Sequence, residues 1–396
     1  MTAAVRRVVV VGAGAAGLTA AESLRADGFD GDLTLIGAET HAPYDRPPLS
    51  KQVLAGTWEP ARLELLSGQR YDDLRITRRL GTPATAADLA RRTVRVDRAD
   101  LPYDALLIAT GVRPRTLPGA AGLGGVHVLR TVDDAVAFQA AALAAGRVVV
   151  VGAGFLGAEA AATLRGLGVS VTLVDPLPGP LVRQLGPAVS ALVADLHTEH
   201  GVELRTGVTV AGLTSDVGRV TGVRLGDGTV VAADCVLVAI GCVPVTEWLA
   251  GSGLDLADGV GCDASCRAAP GVFAAGDVAR WFHPALGETI RVEHRTNATE
   301  QAMAAARAVL GGDEPYAPVP YFWSDQYDTK IQAYGHLAGA DRFAVASGSL
   351  AQRRFVALYG RDDRVTGVLG WRSPRELLRA RALVADATRW SDVVPA

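Results

Sequence analysis

The apolar positions of this chain fall into short strand-like runs, each followed by a helix-like segment. Residues 7–28, RVVVVGAGAAGLTAAESLRADG, begin with valines, pass a glycine-rich turn and continue as an alanine-rich segment that ends at a glycine. Residues 147–168, RVVVVGAGFLGAEAAATLRGLG, repeat this pattern almost residue for residue. A β-branched strand, a tight turn and a helix in this order predict the opening of a βαβ unit. The chain therefore contains an internal repeat of an α/β element.

The three glycines of each copy have separate predicted roles. The first permits the sharp turn, the second lets backbone amides approach a pyrophosphate, and the third lets helix and strand pack closely. The N-terminus of the helix then faces the phosphate. One GxGxxG is a weak signal, but two copies between a strand and a helix predict two dinucleotide sites. The residues assigned to them are Gly12, Gly14, Ala15, Ala16, Gly17, Gly152, Gly154, Phe155, Leu156 and Gly157.

The end of the second strand in each repeat predicts which ribose is bound. SVTLVD ends at Asp175, where a carboxylate can bond the ribose hydroxyls and repel a 2′-phosphate, so NADH is favoured over NADPH in the second site. The first copy has Gly37 and Ala38 at this place and offers only Glu39 just beyond. A later segment, residues 267–277, is expected to bring Gly276 and Asp277 to a second phosphate or a ribityl hydroxyl.

Two further apolar runs indicate how the repeats are nested. LLIATGVRPR (106–115) and VLVAIGCVPV (236–245) are predicted buried strands, each ending in a glycine with a proline soon after. We interpret them as crossings between two domains. From Tyr321 onward the pattern changes to aromatic, alternating strands, and a last helix is predicted from Ser373 as N-cap, Pro374 as N1 and Glu376 as N3. This part is predicted to be a small α+β domain.

Composition and charge narrow the possible classes. The chain has 49% hydrophobic and 20% charged residues and a net charge of −3, which is ordinary for a protein with large cores and gives no general attraction for nucleic acid or anionic membrane. No apolar stretch reaches spanning length, and the glycine pattern argues against a secretion signal after Arg6 and Arg7. The four cysteines lack metal-site spacing, so we expect no metal site and buried, reduced thiols in a cytoplasmic protein.

Several motifs together resemble the FAD-dependent, NADH-using ferredoxin reductases of bacterial cytochrome P450 and aromatic-ring dioxygenase systems. They are VGAGAAG, PYDRPPLSK, ATGVRP, LRTVDDA, VGAGFLGAE, VFAAGD, EHRTNATEQA and YFWSDQY, and they run through nearly the whole chain. The resemblance implies two nested Rossmann-like domains of the glutathione-reductase type and a C-terminal α+β domain. The expected limits are 1–110 with 240–318 for FAD, 111–239 for NAD, and 319–396 for the C-terminal domain.

The resemblance also implies roles for single residues. Lys51 would lie near the flavin N5 and pair with Glu159, on the first turn of the helix in the second glycine motif. The alternatives are that Lys51 is an exposed lysine at a helix start and that Glu159 is a surface acid. Phe155 would cover the isoalloxazine, or else is a core aromatic. Arg130 would contact FAD, or else precedes a helix capped by Thr131 and Asp134. The remaining residues assigned to FAD or NAD by their motifs are Arg46, Ala109, Thr110, Gly111, Gly241, Glu293, His294, Arg295 and Trp323.

Two of these assignments have open alternatives. Several relatives carry tryptophan where this chain has Arg295, so the resemblance does not assign the group beside the flavin O2 end. Trp323 would lie near the flavin and a docking surface, or else is a core tryptophan. Arginines cluster at 70–79, 353–354 and 372–381, and each cluster is either a docking site for an acidic ferredoxin or a solvated face.

The segment PYDRPPLSK has no cysteine where disulfide reductases of this fold carry a redox pair on the helix that the loop enters. The resemblance therefore implies hydride transfer from NADH to FAD and then single electrons to a separate [2Fe–2S] ferredoxin, which supplies a cytochrome P450 or a dioxygenase. The alternatives are an NADH oxidase or a peroxide or disulfide reductase, a flavin monooxygenase, for which no FxGxxxHxxxWP element is found, and a redox sensor resembling apoptosis-inducing factor.

Overall fold

The fold was analysed in a computed structural model, which describes residues 5–394. Residues 1–4 and 395–396, which the predicted first and last domains include, lie outside this range. Strands are numbered along the chain as β1 (Arg7–Val11), β2 (Asp32–Ile36), β3 (Ile76–Arg79), β4 (Ala84–Asp88), β5 (Thr93–Val96), β6 (Ala99–Pro102), β7 (Ala105–Ile108), β8 (Val112–Pro114), β9 (Val126–His127), β10 (Arg147–Val151), β11 (Ser170–Asp175), β12 (Glu203–Thr206), β13 (Val210–Asp216), β14 (Arg219–Leu225), β15 (Val230–Ala232), β16 (Cys235–Val238), β17 (Cys242–Pro244), β18 (Val260–Cys262), β19 (Arg267–Ala269), β20 (Val272–Ala274), β21 (Ala279–His283), β22 (Glu288–Arg291), β23 (Tyr321–Gln326), β24 (Thr329–Gly335), β25 (Arg342–Ser349), β26 (Arg354–Arg361) and β27 (Arg364–Trp371).

The helices are numbered in the same way. They are α1 (Ala15–Ala26), α2 (Gly68–Asp73), α3 (Val132–Ala144), α4 (Phe155–Gly166), α5 (Val182–Glu199), α6 (Arg295–Val309), α7 (Pro374–Ala385) and α8 (Trp390–Val393), with short 3₁₀ helices at Pro47–Ser50, Pro60–Leu63 and Glu247–Leu249.

The chain divides into two compact units. The first consists of the described residues of 1–45 with 61–113 and 243–320, and the second of residues 46–60, 114–242 and the described residues from 321 onward. The chain passes between them at five points, and two of these points lie within the apolar runs at 106–115 and 236–245. The assignment of separate FAD, NAD and C-terminal domains stays a prediction.

The first unit is built on a six-stranded sheet in the order β19-β20-β7-β1-β2-β3, parallel except for β19. Strand β1, in the middle of this sheet, is buried on both faces. Val8 and Val10 belong to one hydrophobic cluster, and Val9 and Val11 belong to another. The continuous valine run in the sequence follows from this two-sided burial. On the first face α1 packs against α6 through small residues such as Ala21 and Ala305.

The second unit contains a parallel sheet in the order β12-β11-β10-β16-β9. Its central strand β10 repeats the arrangement of β1, with all four valines buried. The same unit includes an antiparallel sheet in the order β23-β24-β27-β26-β25. One face of that sheet packs on α5 through Phe355 and Ala357, and the other packs on α7 through Val356 and Leu358. These sheets confirm the predicted α/β class with Rossmann-like sheets and a C-terminal α+β part.

Several local expectations are corrected by the structure. PPLSK forms only a short 3₁₀ helix, Pro47–Ser50, that ends before Lys51. The last helix begins at Pro374 as predicted, but the hydroxyl of Ser373 donates to the Trp371 carbonyl rather than capping the helix. The thiols are free as expected, but Cys242 and Cys262 are only partly buried.

Candidate active site

The first glycine turn, Gly12 to Gly17, leaves open space at the start of α1. Gly12 has φ of 114°, and a Cβ there would lie 2.1 Å from the Ala109 carbonyl oxygen. A Cβ on Gly17 would lie 1.8 Å from the Gly12 carbonyl oxygen, so neither position accepts a side chain. A Cβ on Gly14, by contrast, would meet nothing within 4 Å, and no side chain caps α1. Open space beside uncapped helix amides fits the pyrophosphate of a dinucleotide.

Other segments of the first unit converge on this turn. Gly276 has φ of 78° and donates its amide to Gln301 Oε1 at 2.9 Å, and a Cβ there would lie 3.0 Å from the Cβ of Ala16. Ala109 is buried behind the turn, and Thr110 Oγ1 donates to the Val245 carbonyl at 2.7 Å. The structure therefore brings the predicted residues Gly276 and Ala109 to the turn of Gly12 and Gly14, within one unit.

The remaining first-unit residues have partners of their own. Tyr44 donates its hydroxyl to Glu39 Oε2 at 2.5 Å, which fixes the acid that follows β2 in the sequence. His294 is the N-cap position of α6, and Arg295 Nε lies 2.5 Å from Asp45 Oδ1. The exposed Glu293 accepts a hydrogen bond from Arg291 Nη1 at 2.5 Å, and the carbonyl of Asp277 accepts another from the same atom at 3.1 Å. Gly111 has φ of 67°. Their cofactor roles stay predictions.

The second glycine turn has the same construction at the start of α4. Gly152 has φ of 104°, and a Cβ there would lie 2.3 Å from the Ala239 carbonyl oxygen. A Cβ on Gly157 would lie 1.9 Å from the Gly152 carbonyl oxygen, whereas one on Gly154 would meet only Gln184 Nε2 at 3.9 Å. The second turn therefore also has room for a pyrophosphate at an uncapped helix N-terminus.

Asp175 holds the second turn in place. Its Oδ2 accepts the amide of Ala153 at 2.7 Å, and its Oδ1 accepts the amide of Leu177 at 2.8 Å. Each carboxylate oxygen keeps a second lone pair for a ribose hydroxyl. Sequence reasoning missed this structural role, which follows from the end of β11 lying beside the turn after β10.

A buried ion pair forms around Glu159 in the second unit. Lys51 Nζ lies 2.6 Å from Glu159 Oε2, and the Ser50 hydroxyl donates to the same oxygen at 2.7 Å. The Ser324 hydroxyl donates to Glu159 Oε1 at 2.8 Å. Glu159 is the fifth residue of α4 and is buried, so the expectation of a first-turn position is wrong. The alternatives of an exposed lysine and a surface acid do not describe these two side chains.

The segment that carries Lys51 is tied to helices of the same unit. Thr163 Oγ1 of α4 donates to the Ser50 carbonyl at 2.8 Å, and Gln139 Nε2 of α3 donates to the carbonyls of Val53 and Leu54 at 2.8 and 3.0 Å. Lys51 Nζ also donates to the Pro47 carbonyl at 3.1 Å. The ammonium group is thus held by several acceptors rather than turned to solvent.

The aromatic residues and arginines predicted for the cofactors lie partly buried. Phe155 packs on Phe322 with ring centroids 4.9 Å apart, and Trp323 stacks on Tyr321 at 6.0 Å. Arg46 Nη1 donates to the Arg130 carbonyl at 2.5 Å. Thr131 and Asp134 form the predicted capping box of α3. Leu156 is half-buried and Gly241 is exposed with φ of 90°. Their roles toward a cofactor stay predictions.

Burial raises the pKa of three of the four thiols. Desolvation raises the pKa of Cys235 and of Cys266 to about 12, and it also raises the pKa of Cys262. The reactive form of a thiol is the thiolate, which a lowered pKa favours at neutral pH. These three cysteines therefore do not resemble redox-active thiols, and residues 43–51 contain none.

Two kinds of feature are absent from residues 5–394. Between residues 5 and 394, no helix combines the length and hydropathy needed to cross a membrane. Within the same range, no three side chains among His, Cys, Asp and Glu are grouped so that they could hold a metal ion.

Comparison with known proteins extends these observations. Residues 6–306 match the profile of the pyridine nucleotide-disulphide oxidoreductases, and residues 321–394 match the reductase C-terminal profile. Rhodocoxin reductase of Rhodococcus erythropolis is 39% identical, over 96% of this chain and 89% of its own length. The ferredoxin–NAD(+) reductase component of the anthranilate 1,2-dioxygenase system of Burkholderia cepacia is 40% identical, over 95% and 93%. The solved covalent putidaredoxin reductase–putidaredoxin complex matches with a TM-score of 0.92 and 37% identity, covering 97% of this chain and 94% of that one.

Proposed function

Because this chain belongs to the pyridine nucleotide-disulphide oxidoreductase family, we propose that it is an FAD-dependent NADH:ferredoxin reductase. The observation that carries the proposal is the Lys51–Glu159 pair at 2.6 Å, whose lysine lies in residues 43–51, a segment without cysteine. FAD, when bound, supplies a group that accepts a hydride and can release its two electrons one at a time. The overall balance is NADH and two oxidised [2Fe–2S] ferredoxins giving NAD⁺, a proton and two reduced ferredoxins.

The chain's own residues bind and orient the two nucleotides. We assign the FAD pyrophosphate to the amides beside Gly14 and the NADH pyrophosphate to those beside Gly154, since both turns have space there. Asp175 places a carboxylate at the NADH ribose, which excludes a 2′-phosphate by charge repulsion. We assign residues 1–110 and 240–318 to the FAD domain, 111–239 to the NAD domain and 319–396 to the C-terminal domain.

We assign to the Lys51–Glu159 pair, as the family resemblance implies, the role of a fixed cation near the flavin N5. A positive charge that is already in place where negative charge develops stabilises the reduced state without further reorganisation. Glu159 holds the ammonium group of Lys51 in one position, and Ser50 supports the carboxylate. Phe155 and Trp323, each packed on a neighbouring aromatic ring, are assigned to the faces of the flavin site by the family resemblance.

The partner is assigned from the relatives and from the lack of a cysteine in residues 43–51. Two similar proteins are named for rhodocoxin and for a ferredoxin–NAD(+) reductase component of a dioxygenase system, and a similar structure contains putidaredoxin. We propose that this chain reduces a [2Fe–2S] ferredoxin that in turn supplies a cytochrome P450 or a ring-hydroxylating dioxygenase. A cytoplasmic location, where NADH is available, is part of the same proposal.

The test is NADH-driven reduction of purified [2Fe–2S] ferredoxins by the purified flavin-containing protein, with cytochrome c as the final acceptor. We expect ferredoxin-dependent reduction that greatly exceeds oxygen consumption and persists after alkylation with N-ethylmaleimide. Activity that disappears on alkylation would indicate a thiol-dependent reductase. Rapid oxygen consumption without ferredoxin reduction would indicate an oxidase, and reduction by NADH without onward transfer would indicate a redox sensor.

A further inference from the structure

A buried chain of hydrogen bonds continues from Glu159 into the C-terminal sheet. The Ser324 hydroxyl donates to Glu159 Oε1 at 2.8 Å, and Gln326 Nε2 donates to Ser324 Oγ at 3.2 Å. Behind them, His197 Nε2 lies 3.0 Å from Gln326 Oε1, and His197 Nδ1 lies 3.1 Å from the Tyr327 hydroxyl. Ser324, Gln326 and His197 are all fully buried. These polar groups are therefore sealed from water and depend on one another for partners.

The ends of the chain determine the direction of every bond in it. A carboxylate only accepts, so Ser324 must donate to Glu159 and use a lone pair to accept from Gln326. The Gln326 carbonyl then accepts, which places a proton on His197 Nε2 and leaves Nδ1 to accept from Tyr327. Burial lowers the pKa of His197 to about 4, in keeping with this neutral tautomer. The four donors of this chain are therefore oriented toward Glu159, as are Lys51 and Ser50.

Strand geometry explains why these residues meet. Ser324 and Gln326 are two positions apart on β23, so both side chains lie on the same face, and Asp325 between them turns away to pair with Lys330. His197 lies near the end of α5, the helix that packs on this sheet. None of these positions carries a local sequence signal, because the contacts join segments more than a hundred residues apart.

We propose that Ser324 and Gln326 are positioning residues that aim the Glu159 carboxylate at Lys51 and thereby help set the rate and equilibrium of flavin reduction by NADH. This inference rests on the proposed function, since it gives Lys51 its role in the flavin site. It means that the C-terminal sheet contributes to the first half of the reaction, in addition to any contact it makes with a protein partner.

The expected effects follow from the loss of one donor to a buried carboxylate. Ser324→Ala leaves Glu159 Oε1 without the hydroxyl dipole, so the carboxylate is less well fixed and its charge is less compensated. We expect flavin reduction at saturating NADH to slow by about tenfold, with the dissociation constant for NADH unchanged. The midpoint potential of the bound flavin is expected to become more negative, because less positive potential reaches the flavin site.

The experiment compares matched variants of the flavin-containing protein by anaerobic stopped-flow and by dye-equilibration measurement of the flavin potential. Ser324→Thr keeps the hydroxyl and is expected to retain most of the rate, whereas Gln326→Met, which removes the donor to Ser324, is expected to slow reduction about threefold. Ser373→Ala is the control: it removes another buried hydroxyl of the same domain, one that donates only to the Trp371 carbonyl, and is expected to change neither quantity.

A second comparison tests whether Ser324 acts through the ion pair. In a Lys51→Met background, Ser324→Ala should cause little further loss, because the charge that it helps to position is gone. An undiminished effect in that background, or a Ser324→Ala protein with normal rate and potential, would overturn the proposal. Failure of the unaltered protein to reduce any ferredoxin would count against the proposed function alone, since the flavin measurements do not use ferredoxin.

Discussion

Replacing Lys51 by methionine should destabilise the protein more than replacing both members of the ion pair. The side chains of Lys51 and Glu159 are only 13% and 8% exposed, and their charged atoms are 2.6 Å apart. Methionine retains most of the aliphatic stem of lysine but removes the charge. The substitution therefore leaves a buried carboxylate whose remaining donors are the hydroxyls of Ser50 and Ser324.

The magnitude can be worked from these contacts. Breaking a buried ion pair from one side costs about 3–5 kcal/mol, because an uncompensated charge remains. Two hydroxyl donors already bond this carboxylate, so we expect a loss near the lower end, about 3 kcal/mol. The double variant Lys51→Met/Glu159→Gln leaves no buried charge. Its amide oxygen can accept from one serine hydroxyl, and its NH2 group can donate to the other. We expect it to lose only about 1 kcal/mol.

The assay is unfolding of the flavin-free protein in urea, followed by far-ultraviolet circular dichroism. The control is Arg147→Met, which breaks the Arg147–Asp234 pair on the surface, where both side chains are largely exposed and little change is expected. The decisive result is the order of the midpoints, with the single Lys51 variant below the double variant. A double variant that is as unstable as the single variant, or less stable, would refute the reasoning about an uncompensated buried charge.

Three further predictions concern ligand binding. The first concerns the two glycine turns. Gly14→Ala should fold normally, because the new Cβ meets nothing within 4 Å, but it should purify with a lower ratio of flavin to protein absorbance. Gly154→Ala should keep its flavin and bind NADH at least about tenfold more weakly in titrations. Asp175→Ala should lower kcat/KM for NADH by about 10- to 100-fold and for NADPH much less, and an unchanged coenzyme preference would remove Asp175 from the ribose site. Ferredoxin reduction should weaken with added salt if arginine clusters guide docking, and a flat response would leave those arginines as solvated faces.

The parts of the fold that the sequence predicted are those in which a local pattern determines the structure. The valine run is buried on both faces, the turn at Gly12 leaves no room for a Cβ, and the helix packs closely at Gly17. These constraints determine the residue types within a segment of about a dozen positions. The same holds for the capping box of Thr131 and Asp134. Because the second copy obeys identical constraints, both strand–turn–helix openings could be predicted without knowledge of the tertiary structure.

The parts that could not be predicted depend on contacts between distant segments. Ser324 and Gln326 belong to an alternating strand, and only the packing of that strand near α4 gives their hydroxyl and amide a carboxylate to bond. Asp175 was assigned to a ribose from its place at a strand end, but its bonds to the Ala153 and Leu177 amides appear only in three dimensions. Ser373 was expected to cap a helix and instead bonds Trp371, because its φ of −133° and ψ of 58° do not suit a cap.

The arrangement around Glu159 affects how substitutions in the C-terminal domain should be interpreted. Three separate parts of the sequence meet in one hydrogen-bonded group. They contribute Ser50 and Lys51, Glu159, and Ser324 with Gln326. A substitution on β23 that slows ferredoxin reduction could therefore act on partner docking or on the charge held by Glu159. The two causes differ in one respect: a docking defect leaves flavin reduction by NADH at its normal rate, because no ferredoxin takes part in that step. Rates measured only with the complete electron-transfer system would merge these effects and assign to the docking surface what belongs to the ion pair.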